Sequence, residues 1–155
     1  MAAPSPAPKP PVLIVLWISF LTTQLIFGGV GWFLATQGAP PQPPNEPLMW
    51  ILAGLGCATP GVAPMVTRMV IAEPVRKVRD GTQAQKNAAV YPGLIVGFAL
   101  REAGAIFAFM ILFMWQDPIW WAVPAGVAFA STLVAAPTAV RIEGLIDSSG
   151  PRRLG

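Results

Sequence analysis

Four long apolar runs, separated by short polar segments, dominate the pattern of the chain. Each run is about as long as the ~20 residues that a helix needs to cross a bilayer. The pattern therefore predicts an all-α integral membrane protein with four transmembrane helices, folded as a single domain. The predicted helices cover about residues 12–35, 48–71, 91–115 and 119–140 of the 1–155 chain.

The segments outside these runs differ in composition. Residues 1–11 form a Pro/Ala-rich N-terminal segment, and residues 36–47 contain five prolines and no Lys or Arg. Both are expected to be extended, because proline disfavours helix. Residues 72–89 are the most basic loop, residues 116–118 form a tight turn, and residues 141–155 form a basic C-terminal tail.

Composition supports a membrane location and excludes several chemistries. Only 11% of residues are charged, against about 25% in soluble domains. There is no histidine, which excludes His-ligated haem, the commonest zinc sites and a Ser-His-Asp triad. The single cysteine, Cys57, excludes a disulfide within the chain. We therefore expect no enzymatic activity, no metal and no cofactor.

The positive charges mark an orientation rather than a nucleic-acid partner. Net charge is +3, but the basic residues lie at the ends of apolar runs, where lipid orientation explains them. The loops at 36–47 and 116–118 contain none. The positive-inside rule then predicts a multi-pass protein of the plasma (inner) membrane, with both termini and the middle loop in the cytoplasm. The basic residues are Lys9, Arg68, Arg76, Lys77, Arg79, Lys86, Arg101, Arg141, Arg152 and Arg153.

Two adjacent charges, Arg101 and Glu102, lie near the middle of the third apolar run. Each such residue costs about +2.5 to +3.5 kcal/mol at the centre of a membrane helix. Neighbouring helices must therefore shield the pair. An ionisable residue at membrane depth is by default a functional-site hypothesis.

The sequence around this pair, Gly97-Phe-Ala-Leu-Arg-Glu-Ala-Gly-Ala-Ile-Phe-Ala-Phe-Met-Ile-Leu-Phe, resembles a known family locally, within residues 91–115. It resembles the second helix of the proteolipid (c) subunit of rotary ATP synthases, with Glu102 on that family's ion-binding carboxylate. The resemblance implies a self-associating membrane subunit of a larger complex that binds a proton or a cation such as sodium at Glu102. Arg101 stands where the family has no fixed cation.

A second hypothesis makes both charges structural. Arg101 and Glu102 then act as intramembrane ion-pair residues in a non-catalytic scaffolding subunit of a membrane complex. Successive helix residues point about 100° apart, so each charge can pair with a different helix or subunit. Hydroxyl groups of the fourth helix offer hydrogen bonds to Arg101 or to backbone. They belong to Ser131, Thr132 and Thr138. The partners expected under either hypothesis are copies of the chain, other membrane subunits and the lipid bilayer.

Small residues predict where helices approach closely. Gly93 and Gly97 have the Gly-xxx-Gly spacing that supports close crossing of membrane helices. Gly54 and Gly61 are small positions in the second helix. We therefore predict helix packing, within or between chains, at these four glycines.

Overall fold

The computed structural model describes residues 11–37 and 45–148, which form five helices and no strand. Most of the predicted N-terminal segment, most of the Pro-rich loop and the second half of the C-terminal tail lie outside these ranges. The prediction of an all-α fold is confirmed for the described residues. The helices are α1 (Pro11–Thr36), α2 (Glu46–Lys77), α3 (Gln83–Trp115), α4 (Pro118–Val134) and α5 (Ala139–Ser148).

Three of these helices, α1, α2 and α3, are long and apolar enough to cross a membrane. The pair α4 and α5 adds a fourth span if both are counted as one, although they meet at an angle of 90°. The large apolar side chains of α1 are mostly exposed, from Val12 to Phe33. A helix that is apolar on every side and remains exposed is stable in lipid, not in water. The fold is therefore that of a helical membrane protein.

The basic segment predicted as a loop at 72–89 is mostly helical. Helix α2 continues to Lys77, and α3 begins at Gln83, which leaves only a short turn. Thr82 ends that turn with a capping box, because its hydroxyl accepts from Gln85 N–H and the Gln85 side chain accepts from Thr82 N–H. The loop prediction was wrong because hydropathy shows where an apolar run ends, whereas a polar helix continues beyond that point.

The fourth helix also differs from the prediction, which placed it at 119–140. Helix α4 ends at Val134, and α5 starts after a non-helical segment that contains Pro137. Proline has no N–H group, and its ring clashes with the preceding helical turn. Thr138 then starts α5, since its carbonyl and hydroxyl accept from the N–H groups of Ile142 and Arg141. The ten residues of α5, which the sequence assigned to the end of the fourth helix and to the C-terminal tail, therefore form a separate helix.

The turn between α3 and α4 lies at the predicted position. Gln116 has a positive φ of 54°, which ends α3 in the left-handed conformation. Asp117 caps α4, because its Oδ1 atom accepts from Ile119 N–H at 2.9 Å and from Trp120 N–H at 3.2 Å. Pro118 occupies the first turn, where a missing N–H has no cost.

The core consists of two apolar clusters at opposite ends of the bundle, joined by the crossing of α2 and α3. One cluster contains Leu13, Ile71, Val75, Val90, Leu94, Phe98, Ala135 and Ile142. The other contains Met49, Leu52, Ile111 and Trp115. Between them, Gly56, Pro60 and Gly104 bring the α2 and α3 backbones into close contact. This crossing fixes the direction in which Arg101 and Glu102 leave α3.

Candidate functional site

Arg101 is buried, with only 4% of its surface exposed, and backbone carbonyls hold its guanidinium group. Its Nε donates to the carbonyl of Ser131 in α4 at 3.1 Å. One terminal nitrogen donates to the carbonyl of Gly97, one turn earlier in α3, at 2.6 Å. Hydrogen bonds to a charged group contribute about 1.5–3 kcal/mol each. Arg101 therefore joins α3 to α4 without a carboxylate partner among the described residues.

Glu102 points away from Arg101, towards α1. Its side chain is half-buried, and Oε2 is shielded from solvent without any hydrogen-bond donor. The side-chain amide of Gln24 approaches the carboxyl group from α1. Within the described residues, no Lys or Arg nitrogen lies within 4.0 Å of the carboxylate. The two adjacent charges are thus placed in separate environments, as the 100° rotation per residue permits.

Gln24 also connects Glu102 to α4 through a polar network inside the bundle. Its Nε2 donates to Thr132 Oγ1 at 2.9 Å, and the indole N–H of Trp17 donates to the Thr132 carbonyl at 2.7 Å. Thr132 Oγ1 in turn donates to the Ala128 carbonyl at 2.9 Å. The Oε1 atom of Gln24 is buried without a donor. Polar side chains therefore hold α1, α3 and α4 together around Glu102.

The three hydroxyl groups predicted to bind either Arg101 or backbone all bind backbone. Ser131 and Thr132 both donate to the carbonyl of Ala128. The hydroxyl of Thr138 accepts from the N–H of Arg141. Arg101 uses the carbonyl of Ser131 rather than any of these hydroxyls.

Gly93 and Gly97 lie where α3 packs against the second half of α2, at Thr67 and Ile71. A Cβ atom at Gly93 would collide with the Ile71 side chain and would stand 2.8 Å from the Thr67 carbonyl oxygen. A Cβ atom at Gly97 would collide with the Thr67 hydroxyl and approach a guanidinium nitrogen of Arg101 at 3.1 Å. Both glycines are buried, so they pack helices within this chain.

Gly54 and Gly61 are exposed on α2, and a Cβ atom at either would meet nothing within 4 Å. The close approach is instead made by Gly56 in α2 and Gly104 in α3. A Cβ atom at Gly56 would stand 2.7 Å from Pro124, and one at Gly104 would stand 2.8 Å from the Gly56 carbonyl oxygen. Within the chain, packing therefore uses a different face of α2 from the one that carries Gly54 and Gly61.

Trp17 and Gln24 carry roles that sequence reasoning did not assign to them. The spacing of residues along α1 contains a sequence signal for both roles. Leu13, Trp17, Gln24 and Gly31 follow one another at intervals of four or seven residues, and such positions share one helix face. Leu13, Gln24 and Gly31 are buried and Trp17 is partly buried, so this face joins α1 to the bundle.

His, Cys, Asp and Glu are the side chains that bind transition metals. The described residues contain no group of three or more of them able to hold a metal ion. Cys57 is a free, partly buried thiol.

Protein-family models, curated proteins and solved structures, when compared with this chain, give no match.

Proposed function

We propose that this protein is a proteolipid-like membrane subunit in which Glu102 binds a proton or a sodium ion inside the helix bundle. The observation that supports the proposal is the separation of the two central charges. Arg101 is held by the carbonyls of Gly97 and Ser131, and Glu102 has no cation partner among the described residues. A carboxyl group that no fixed cation holds is free to exchange a bound ion.

The surroundings of Glu102 favour such an exchange. An ionised carboxylate that is buried without a partner is costly, so a proton or a cation stabilises it by removing or balancing the charge. Two acceptor atoms, Glu102 Oε2 and Gln24 Oε1, are buried without donors. A proton on Glu102 adds one donor and removes one charge at the same place. A sodium ion would use the carboxylate oxygen of Glu102 and the amide oxygen of Gln24 as ligands.

The proposal includes four membrane crossings, with both termini and the α2–α3 turn in the cytoplasm. Helix α4 has 17 residues, which span about 26 Å, close to the ~30 Å of a hydrocarbon core. Helix α5, which meets α4 at 90°, then lies along the cytoplasmic surface. The charges support this orientation, since Arg76, Lys77 and Arg79 are on or next to the turn and Arg141 is on α5.

Single cysteines in a Cys57→Ser background test the topology. We expect a cysteine at Asp117 or at Gln42, which lies outside the described residues, to react with an impermeant thiol reagent in intact cells. We expect one at Gln83 to react only after the membrane is opened. Labelling of the Gln83 site in intact cells contradicts the orientation.

A hydrophobic carbodiimide tests ion binding, because it modifies protonated carboxyl groups in apolar surroundings. Glu102 should be labelled selectively in the folded protein and faster at lower pH, and sodium should slow the reaction if sodium is the ion. Peptide mass mapping gives the position, with the exposed Glu46, Glu73 and Glu143 as internal controls. Absence of label at Glu102 over the whole acidic to neutral range refutes the proposal.

A structural role as a scaffolding subunit is the second candidate function, and a different observation favours it. The polar groups of the bundle form hydrogen bonds between helices. Arg101 joins α3 to α4, and Thr132 accepts hydrogen bonds from Gln24 and Trp17 of α1. Such bonds stabilise a bundle without any exchange of ions. Under this role, Glu102 is held ionised by a cation of another subunit and resists the carbodiimide. Native mass measurement then shows whether partners are copies of the chain or other subunits.

A further inference from the structure

A second polar site lies on the α5 side of the bundle, apart from Glu102. It is a cavity of about 370 Å³ between α2, α3, the end of α4 and α5. Three arginines line it, one from each of three helices: Arg68, Arg101 and Arg141.

The cavity concentrates positive charge without a compensating carboxylate. No Asp or Glu is among the described residues that line it. The acidic residues of α5, Glu143 and Asp147, are exposed and outside the lining. The charges of Arg101 and Arg141 repel each other, as do those of Arg141 and Arg68. Since arginine stays protonated, this repulsion persists until an anion enters.

The three guanidinium groups also retain unused hydrogen-bond donors. The exposed side chain of Arg68 makes no hydrogen bond or ion pair with any described residue. Arg141 donates from one terminal nitrogen to the carbonyl of Val134, while its Nε is buried without an acceptor. Arg101 uses Nε and one terminal nitrogen, so its other N–H groups stay available. The buried Nε of Arg141 has a cost that a bound acceptor would remove, and Arg68 and Arg101 have further donors for the same acceptor.

We propose that this cavity binds a phosphate group, through Arg68, Arg101 and Arg141. The planar, forked guanidinium group fits the oxygens of phosphate and binds them through pairs of parallel hydrogen bonds. Basic pockets between membrane helices bind phosphorylated lipid head groups in this way. The phosphate belongs either to an anionic phospholipid or to a soluble phosphate compound, and both present the same oxygens to the three arginines.

The test uses the full chain, purified in an uncharged detergent and freed of lipid. Thermal stability is measured against phosphatidylglycerol, with phosphatidylcholine of the same acyl chains as the control lipid. A parallel series uses inorganic phosphate, with chloride at equal ionic strength as its control. Each series compares Arg68→Gln with Arg79→Gln, an equal change of charge. Both arginines are exposed, but only Arg68 lines the cavity. Neither side chain makes a hydrogen bond with a described residue, so both variants should fold.

We expect phosphatidylglycerol to stabilise the wild type and Arg79→Gln at similar concentrations. Arg68→Gln should need at least about tenfold more phosphatidylglycerol for the same stabilisation, because it loses one hydrogen bond from a charged group. If inorganic phosphate stabilises the protein with the same dependence on Arg68, the ligand is a soluble phosphate compound. If only phosphatidylglycerol stabilises the protein, the ligand is a lipid head group. The proposal is overturned if neither ligand stabilises the protein, or if both variants weaken the response equally, as attraction to a basic surface would.

Discussion

Replacing Gly104 by alanine tests whether the crossing of α2 and α3 holds the bundle together. A Cβ atom at this position would stand 2.6 Å from Pro60 Cγ, 2.9 Å from Pro60 Cδ and 2.8 Å from the Gly56 carbonyl oxygen. Carbon atoms pack at about 3.5–4.0 Å. None of these three atoms is the end of a flexible side chain, because two belong to a proline ring and one to backbone. The two helices must therefore separate to admit the methyl group.

The expected cost follows from a comparison with Gly61→Ala. Adding a methylene to a well-packed core costs about 1–3 kcal/mol. Alanine also favours helix over glycine by about 0.5–1 kcal/mol, which obscures this cost in Gly104→Ala alone. Gly61 has the same gain in helix propensity and open space for its Cβ atom. The difference between the two variants therefore isolates the steric cost, and we expect Gly104→Ala to be about 1–3 kcal/mol less stable than Gly61→Ala.

Both variants can be unfolded in mixed micelles by titration with a denaturing detergent. Tryptophan fluorescence reports the transition, since the chain has six tryptophans. Gly54→Ala, also in open space, serves as a second control and should match Gly61→Ala. Equal stability of Gly104→Ala and Gly61→Ala would show that α2 and α3 do not cross at Gly104, and the positions inferred for Arg101 and Glu102 would fail with it.

Two further substitutions test the polar network. Glu102→Gln should change the free energy of unfolding by less than about 1 kcal/mol, because Arg101 keeps its carbonyl partners; a loss of about 3–5 kcal/mol, measured by the same titration, would show that Arg101 depends on that carboxylate. Thr132→Val leaves the buried Gln24 amide without its acceptor and should cost about 1–3 kcal/mol. Ser131→Ala, whose hydroxyl bonds only within α4, should cost less, and equal losses would contradict the network.

The sequence alone determined that the chain is helical and suited to a membrane, because run length and apolarity decide this before any tertiary contact forms. It also located the turn at Gln116–Pro118, since an aspartate cap and an adjacent proline act locally. The bend after Val134 had a local signal too, in Pro137. Hydropathy concealed it, because the apolar residues continue on both sides of the proline.

The tertiary structure alone decided which faces of the helices are buried. In water, the buried face is marked by apolar residues, but lipid is as apolar as a protein core, so that signal is absent in a membrane helix. Sequence therefore could not prefer Gly56 over Gly54 or Gly61 in α2. For the same reason it could not assign partners to Arg101 and Glu102. Arg101 reaches a carbonyl of α4 and Glu102 lies near an amide of α1, and both groups adjoin α3 only once the helices have packed.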